Sequence, residues 1–258
     1  MILCIDIGNT NIKYAVFNGD EIKGTFRVSS RHTRTADEYG ATLVNLLQSK
    51  DISRKDITGI IMSSVIPSLN YTISHMCEYF FGVKPLVVGA GIKTGLNVKT
   101  DNPKEVGADI IANCVGAYHK YGNKKPMIVI DFGTATTFDV LTGNGELIGV
   151  VIAPGMKTSL ESLVSNTAQL PMIELQAPST AIPKNTKTAM QAGIILGFAG
   201  LVENIVKKIK EELQLDEISV TATGGMGEII AKEVSCITRI DRLLTLQGLK
   251  HLYDINVK

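Results

Sequence analysis

Two short segments carry the residues with the clearest chemistry. Asp6-Ile7-Gly8-Asn9-Thr10 directly follows the apolar run Ile2 to Ile5, and Asp131-Phe132-Gly133-Thr134-Ala135 directly follows Met127 to Ile130. Each reads as a buried strand ending in a carboxylate, then a glycine, then a hydroxyl or amide. An aspartate at the end of an apolar strand is costly unless its charge is used. A glycine two residues later lets the backbone turn tightly and approach a ligand. Thr10 and Thr134 place hydroxyls beside exposed N–H groups, which suits phosphate oxygens. A carboxylate beside phosphates repels them without an intervening cation, so the pattern asks for magnesium or a similar ion. An ordinary hairpin turn begun by aspartate accounts for one such segment. A matched second copy favours the ligand-binding reading.

The match extends beyond the turns. Positions 125 residues after Asp6, Gly8, Glu21 and Gly24 hold Asp131, Gly133, Glu146 and Gly149. The pairs Ile7/Phe132, Ala15/Val140, Val16/Leu141 and Ile22/Leu147 keep their apolar character. This predicts an internally duplicated fold, with halves 1–122 and 123–258 joined near Gly122 to Pro126 and a cleft between them.

The elements that must position these residues follow from the pattern. Strands are predicted over 2–6, 12–17 and 21–28, with Asn18-Gly19-Asp20 as a hairpin turn. Thr35 and Glu38 form a capping box for a helix carrying Tyr39, Leu43, Leu46 and Leu47. A buried strand from Asp56 to Ser63 precedes a helix over 68–80 and a strand over 85–88. Gly89 to Gly95 has the look of a dinucleotide-binding glycine loop, but its third glycine is one residue late and no helix follows, so it reads as a loop. Pro103 marks a helix start, with the helix running to about Tyr121 and Val106, Ile110, Cys114 and Ala117 along one stripe. Asp109 lies off that stripe and reads either as a surface carboxylate favoured by the helix dipole or as a catalytic base. The second half predicts strands over 127–131, 135–141 and 146–152, a helix over 157–165 and a proline-rich loop over 166–185. Thr186 or Thr188 is expected to cap a long helix ending near Leu213, an interface element or a core helix. After a strand over 218–222, Thr223-Gly224-Gly225-Met226-Gly227 reads as a strand-to-helix turn able to receive an adenosine or a phosphate. The segment 243–253 reads as a closing helix.

Composition narrows the function class. With 26 basic and 25 acidic residues and a net charge of +1, no basic surface for nucleic acid or anionic membranes is implied. Aromatics are 5% and Trp is absent, which gives no support to base stacking. No apolar stretch reaches the length of about 20 residues that a membrane span needs. The 4 cysteines are far apart in apolar contexts, which fits a reducing cytoplasm without disulfides. Asp6 interrupts the N-terminal apolar run, so a secretory leader is not expected.

Strand-hairpin-strand units followed by helices, present twice, fit the α/β duplicated ribonuclease-H-like fold of actin-like ATPases, in which two mixed-sheet halves hold ATP between them. Within that group the chain resembles the type III pantothenate kinases. The resemblance rests on DIGNT at 6–10, SSVIP at 63–67, DNPKEVGAD at 101–109, DFGTATT at 131–137, APG at 153–155, AQLP at 168–171, KNT at 184–186 and ATGG at 222–225. It implies that ATP lies along Asp6, Ile7, Gly8, Asn9, Thr10, Asn11, Ile12 and Lys13, with Thr134 on phosphate and the Gly224-Gly225 turn nearby. It implies magnesium near Asp6, through water or directly, and potassium or ammonium at Asp131. It places pantothenate at Thr100, Gly107, Ala108, Asp109 and Ile110. Asp109 would take the proton from the hydroxyl, and Thr186 would contact the substrate across a homodimer interface. The enzyme would catalyse the first step of coenzyme A synthesis in the cytoplasm.

Three positions depart from the family pattern. Arginine usually follows the catalytic aspartate, where this chain has Ile110; tyrosine usually precedes the Asp-Asn-Pro turn, where it has Thr100; paired glycines usually precede Ala-Pro-Gly, where it has Gly149-Val150. An arginine can pair with a carboxylate and isoleucine cannot, a loss of about 1.5–3 kcal/mol. A diverged paralogue is therefore the alternative reading, either a kinase for another small hydroxyl compound or a non-catalytic ATP-binding regulatory subunit.

Overall fold

The computed structural model describes residues 1–257. In chain order the elements are β1 (Ile2–Ile7), β2 (Asn11–Asn18), β3 (Glu21–Ser29), α1 (Ala36–Gln48), β4 (Gly59–Ser64), α2 (Pro67–Phe81), β5 (Leu86–Val87), β6 (Asn97–Val98), α3 (Ala108–Tyr121), β7 (Met127–Phe132), β8 (Ala135–Leu141), β9 (Glu146–Pro154), α4 (Met156–Ser165), α5 (Thr186–Glu212), β10 (Ser219–Gly224), α6 (Gly227–Ile230), β11 (Arg239–Ile240) and α7 (Leu244–Asn256). They form two compact units. The first comprises residues 1–97, 101–120 and the C-terminal stretch from Leu243; the second comprises residues 98–100 and 121–242. The closing helix α7 therefore packs in the first unit, whereas a simple division at residue 122 places it in the second half.

The first sheet has the order β3-β2-β1-β4-β5. Strands β1, β2 and β3 pair antiparallel, and β4 and β5 join parallel. The second sheet repeats this order as β9-β8-β7-β10-β11 and adds β6 beside β9. β1 and β7 are central and covered on both faces, which is why they read as continuous apolar runs.

The registers confirm the duplication and correct its alignment. Asp6 pairs with Lys13 in the first hairpin, and Asp131 pairs with Thr137 in the second. The second turn is one residue tighter, so β8 follows β2 at an offset of 124 while β7 and β9 keep 125. Val16 is thus equivalent to Val140, and Ala15 to Asp139, rather than to the next residue along. Both hairpins carry a β-bulge at the same place, between Val16 and Phe17 and between Val140 and Leu141.

Each sheet carries its own core. In the first unit Leu43 and Leu47 of α1 and Ile73 and Met76 of α2 pack with Ile5, Ile7, Ile12 and Met62. In the second, Ile195, Phe198, Val202 and Val206 of α5 pack with Ile128, Ile130, Phe138 and Val220. α5 is long and apolar enough to cross a membrane by length and composition; its stripe Ile195, Phe198, Val202 and Val206 is buried in this core. Cys4, Cys77 and Cys114 are buried and in no disulfide; burial pushes Cys77 up to about 12.

Local signals set most helix ends. The Thr35 hydroxyl accepts from the Glu38 N–H at 3.3 Å, and the Thr35 N–H donates to Glu38 Oε2 at 2.8 Å, completing the capping box. Pro67 opens α2, and Gly82 closes it in a left-handed conformation with φ 68°. Four expectations move. Arg54–Asp56 form a 3-10 turn, so β4 begins at Gly59. Pro103 opens a 3-10 turn over Pro103–Glu105, and α3 starts only at Ala108, which leaves Val106 off the helix. α5 is capped by Asn185, whose side chain accepts from the Thr188 N–H at 3.0 Å. α6 is a single turn of 4 residues.

α3 and α7 approach so closely that each needs a glycine. A Cβ on Gly248 would overlap the Ala112 carbonyl and come within 3.0 Å of the Gly116 nitrogen, and one on Gly116 would lie 2.6 Å from the Leu244 carbonyl. Thr245 Oγ1 donates to buried Asn113 Oδ1 at 2.6 Å across the same contact. Gly248→Ala is expected to destabilise the protein by about 1–3 kcal/mol, read as a lower midpoint in urea unfolding with an unchanged slope.

Candidate active site

The first hairpin holds a compensated buried carboxylate. Asp6 is 4% exposed, and strand register sets Lys13 of β2 and Ser63 of β4 on either side of it. Lys13 Nζ lies 3.2 Å from Asp6 Oδ2, and Ser63 Oγ donates to Asp6 Oδ1 at 3.0 Å. The lysine keeps 27% of its side-chain exposure, so the pair opens toward solvent on one side. Ile7 and Ile12 are fully buried in the core, so only their backbone is available to a ligand. Asn9 and Thr10 are exposed at the tip. The turn closes through Gly8 N–H to Asn11 O at 3.1 Å, and a Cβ on Gly8 would stand 3.2 Å from that oxygen. Ser30 braces the tip: its hydroxyl donates to Gly8 O at 2.5 Å and its N–H to Thr10 O at 3.0 Å. The sequence shows Ser30 only as part of a polar loop, and nothing in it marks Ser63 as a partner of Asp6.

The second hairpin is built differently at the same place. Asp131 is half-buried, and Thr137 and Thr223 stand opposite it in the neighbouring strands. Gly133 N–H donates to Ala135 O at 3.0 Å. The carbonyl of exposed Thr134 accepts from Gly155 N–H at 3.0 Å and from Thr158 Oγ1 at 2.7 Å, which ties the turn to the start of α4. Gly224 ends β10 with φ 90°, and a Cβ there would lie 2.5 Å from Asp131 Oδ1 and 2.6 Å from Phe132 O. Gly225 is exposed with nothing within 4 Å of a Cβ position. Because α6 is a single turn, the glycine turn ends in no helix long enough to bind an anion through its dipole. Gly224 instead gives the backbone room beside the carboxylate.

The remaining sequence-read residues fall in two further places. In the first unit Asp109 lies in the first turn of α3, half-buried, where the helix dipole favours its charge. Its Oδ1 accepts from the Ile110 N–H at 2.8 Å, and a Cβ on Gly107 would stand 2.5 Å from that same oxygen. Gly107 thus leaves the space into which the carboxylate folds, and Ala108 begins the helix. Ile110 is 8% exposed, and its Cδ1 would lie 3.8 Å from a Cβ on Gly107. In the second unit Thr100 is half-buried, and its hydroxyl has no hydrogen-bond partner among the described residues. Thr186, the exposed first residue of α5, lines a cavity of about 680 Å³ with Lys184, Asn185 and Met190.

No group of three or more His, Cys, Asp and Glu side chains among the described residues is arranged to hold a metal ion alone. Magnesium in phosphoryl-transfer sites keeps several waters and binds through one or two carboxylates plus substrate phosphates. Asp6 fits that role: both its oxygens already accept from the chain, so it suits a cation that retains its waters. The carboxylate of Asp131 is the donor type a hard cation takes. Gly224→Ala is expected to cost about 3 kcal/mol through its left-handed backbone and the overlap with Asp131 and Phe132. Gly225→Ala should stay within about 0.5 kcal/mol of wild type, both measured by chemical denaturation.

The model of the type III pantothenate kinase family matches residues 2–208. A protein from Campylobacter jejuni described as a Baf family transcriptional activator is 19% identical, with a TM-score of 0.62 over 98% of both chains. The (R)-2-hydroxyglutaryl-CoA dehydratase component A of Acidaminococcus fermentans is 13% identical, with a TM-score of 0.58 over 100% of this chain and 99% of that one. A protein from Sinorhizobium meliloti described as a 2-dehydro-3-deoxygalactonokinase is 11% identical, with a TM-score of 0.63 over 99% and 96%. At these identities the likeness is one of fold, the actin-like ATPase fold.

Proposed function

The chain belongs to the type III pantothenate kinase family, and from that premise we propose that it transfers the γ-phosphoryl group of ATP to the hydroxyl of pantothenate, giving 4'-phosphopantothenate for coenzyme A synthesis. The observation that carries this reading is the pair of carboxylate-glycine hairpins at equivalent positions of two sheets of the same strand order. Phosphoryl transfer asks the protein mainly for positioning, charge compensation and a carboxylate aimed at the nucleophile. The tight turn of Gly8 to Thr10 offers backbone N–H groups and a hydroxyl to phosphate, and Lys13 offers a positive charge. Magnesium, held near Asp6 through its waters, would neutralise phosphate charge; potassium or ammonium would sit at Asp131. Asp109 accepts the proton of the attacking hydroxyl, held in place by the space that Gly107 leaves and by the Ile110 N–H.

One observation favours a second reading. Ile110 stands where the family has arginine, and an aliphatic side chain offers no hydrogen bond to an acceptor carboxylate. A different small hydroxyl compound is the alternative acceptor.

A homodimer working in the cytoplasm completes the reading. On α5, Gly193, Leu196, Gly197 and Gly200 lie exposed on one face, and a Cβ on any of the three glycines would meet nothing within 4 Å. A second copy of the helix can approach such a face closely, and Thr186 begins the same helix. Gly197→Glu is expected to shift sedimentation from dimer to monomer. With magnesium and potassium present, the purified protein should phosphorylate pantothenate, and Asp109→Asn should lower kcat by about 10²–10⁴-fold with ATP still bound. Phosphorylation of another hydroxyl compound, and not of pantothenate, would decide for the second reading.

A further inference from the structure

Lys13 answers the charge of Asp6, but it does not fix the plane of the carboxylate. The second contact does. Ser63 is 0% exposed, stands opposite Asp6 in the parallel register of β1 and β4, and donates to Asp6 Oδ1 at 3.0 Å. With Oδ2 facing Lys13 at 3.2 Å, the carboxylate is gripped on both oxygens from two different strands and cannot rotate about its Cβ–Cγ bond. The second unit has no lysine at the matching place, where Thr137 stands opposite Asp131. It does repeat the buried hydroxyl residue in the parallel neighbour: Thr223, 1% exposed, is set opposite Asp131 by the register of β7 and β10. The feature common to both carboxylates is therefore a buried hydroxyl residue in the parallel strand.

We infer that Ser63 is a positioning residue that orients the Asp6 carboxylate toward the waters of a nucleotide-bound magnesium ion, and that Thr223 holds the equivalent post beside Asp131 and its monovalent cation. The inference rests on the kinase reading of the two aspartates. Calorimetric titration of the full chain with ATP, with and without magnesium, tests it. Wild type should gain affinity when magnesium is added. Ser63→Ala should lose about tenfold of that gain while magnesium-free binding stays within about twofold, and Ser63→Thr should restore it. In an Asp6→Asn background Ser63→Ala should have no further effect on the magnesium dependence. Should Ser63→Ala unfold, Ser63→Cys keeps the size with a weaker donor and gives the same reading. For Thr223, the potassium-dependent rise in unfolding temperature should vanish in Thr223→Val and persist in Thr223→Ser. An unchanged magnesium dependence in Ser63→Ala, or unchanged potassium dependence in Thr223→Val, overturns the corresponding assignment. A wild-type protein whose ATP affinity ignores magnesium overturns the kinase reading of Asp6 itself, and is told apart because the variants are then not needed to see it.

Discussion

A carboxylate 4% exposed at the end of a central strand is the constraint around which the first unit is built. An ionised side chain in that position costs several kcal/mol unless its oxygens are met by donors. The donors come from both neighbouring strands, Lys13 from the antiparallel side and Ser63 from the parallel side. A slip of one residue in either pairing would turn these side chains to the opposite face of the sheet. The register of three strands and the state of one carboxylate are thus a single requirement, and the turn that follows inherits its position from it.

The second unit is built from different parts at the same place. Its turn is one residue shorter, its antiparallel partner is a threonine, and its carboxylate is half-buried. Gly224 brings backbone against Asp131 where the first unit has the side chain of Ser64 one residue beyond Ser63. The shared topology therefore holds two sites of different character. A lysine-paired carboxylate suits a ligand whose charge is negative overall, whereas Asp131 has threonines opposite it in both neighbouring strands.

α3 shows how packing away from the hairpins reaches a candidate site residue. It is buried from Ile110 to Ala117, and its contact with α7 is close enough that Gly116 and Gly248 tolerate no side chain. Interiors at this density transmit displacement rather than absorb it, so the contact fixes the start of the helix. Asp109 sits in that first turn, and Ile110 beside it is buried.

The sequence by itself determined the repeated strand-turn-strand units, the α/β class, the Thr35 capping box, the order of helices and the identity of the aspartates, because these depend on residues near one another in the chain. Hydrophobic period, turn residues and caps act over a few positions. The family pattern added Asp109, Gly107 and Thr186, which no local signal distinguishes from surface polar residues. Only the tertiary structure decided the parallel pairings, since the register of β1 with β4 joins residues 57 apart and no local pattern encodes it. The parallel pairings brought Ser63 to Asp6 and Thr223 opposite Asp131, the antiparallel register moved Val16 into line with Val140, and packing returned α7 to the first unit. The common reason is physical: a strand's neighbours and a helix's buried face are chosen by what the rest of the chain leaves to be covered.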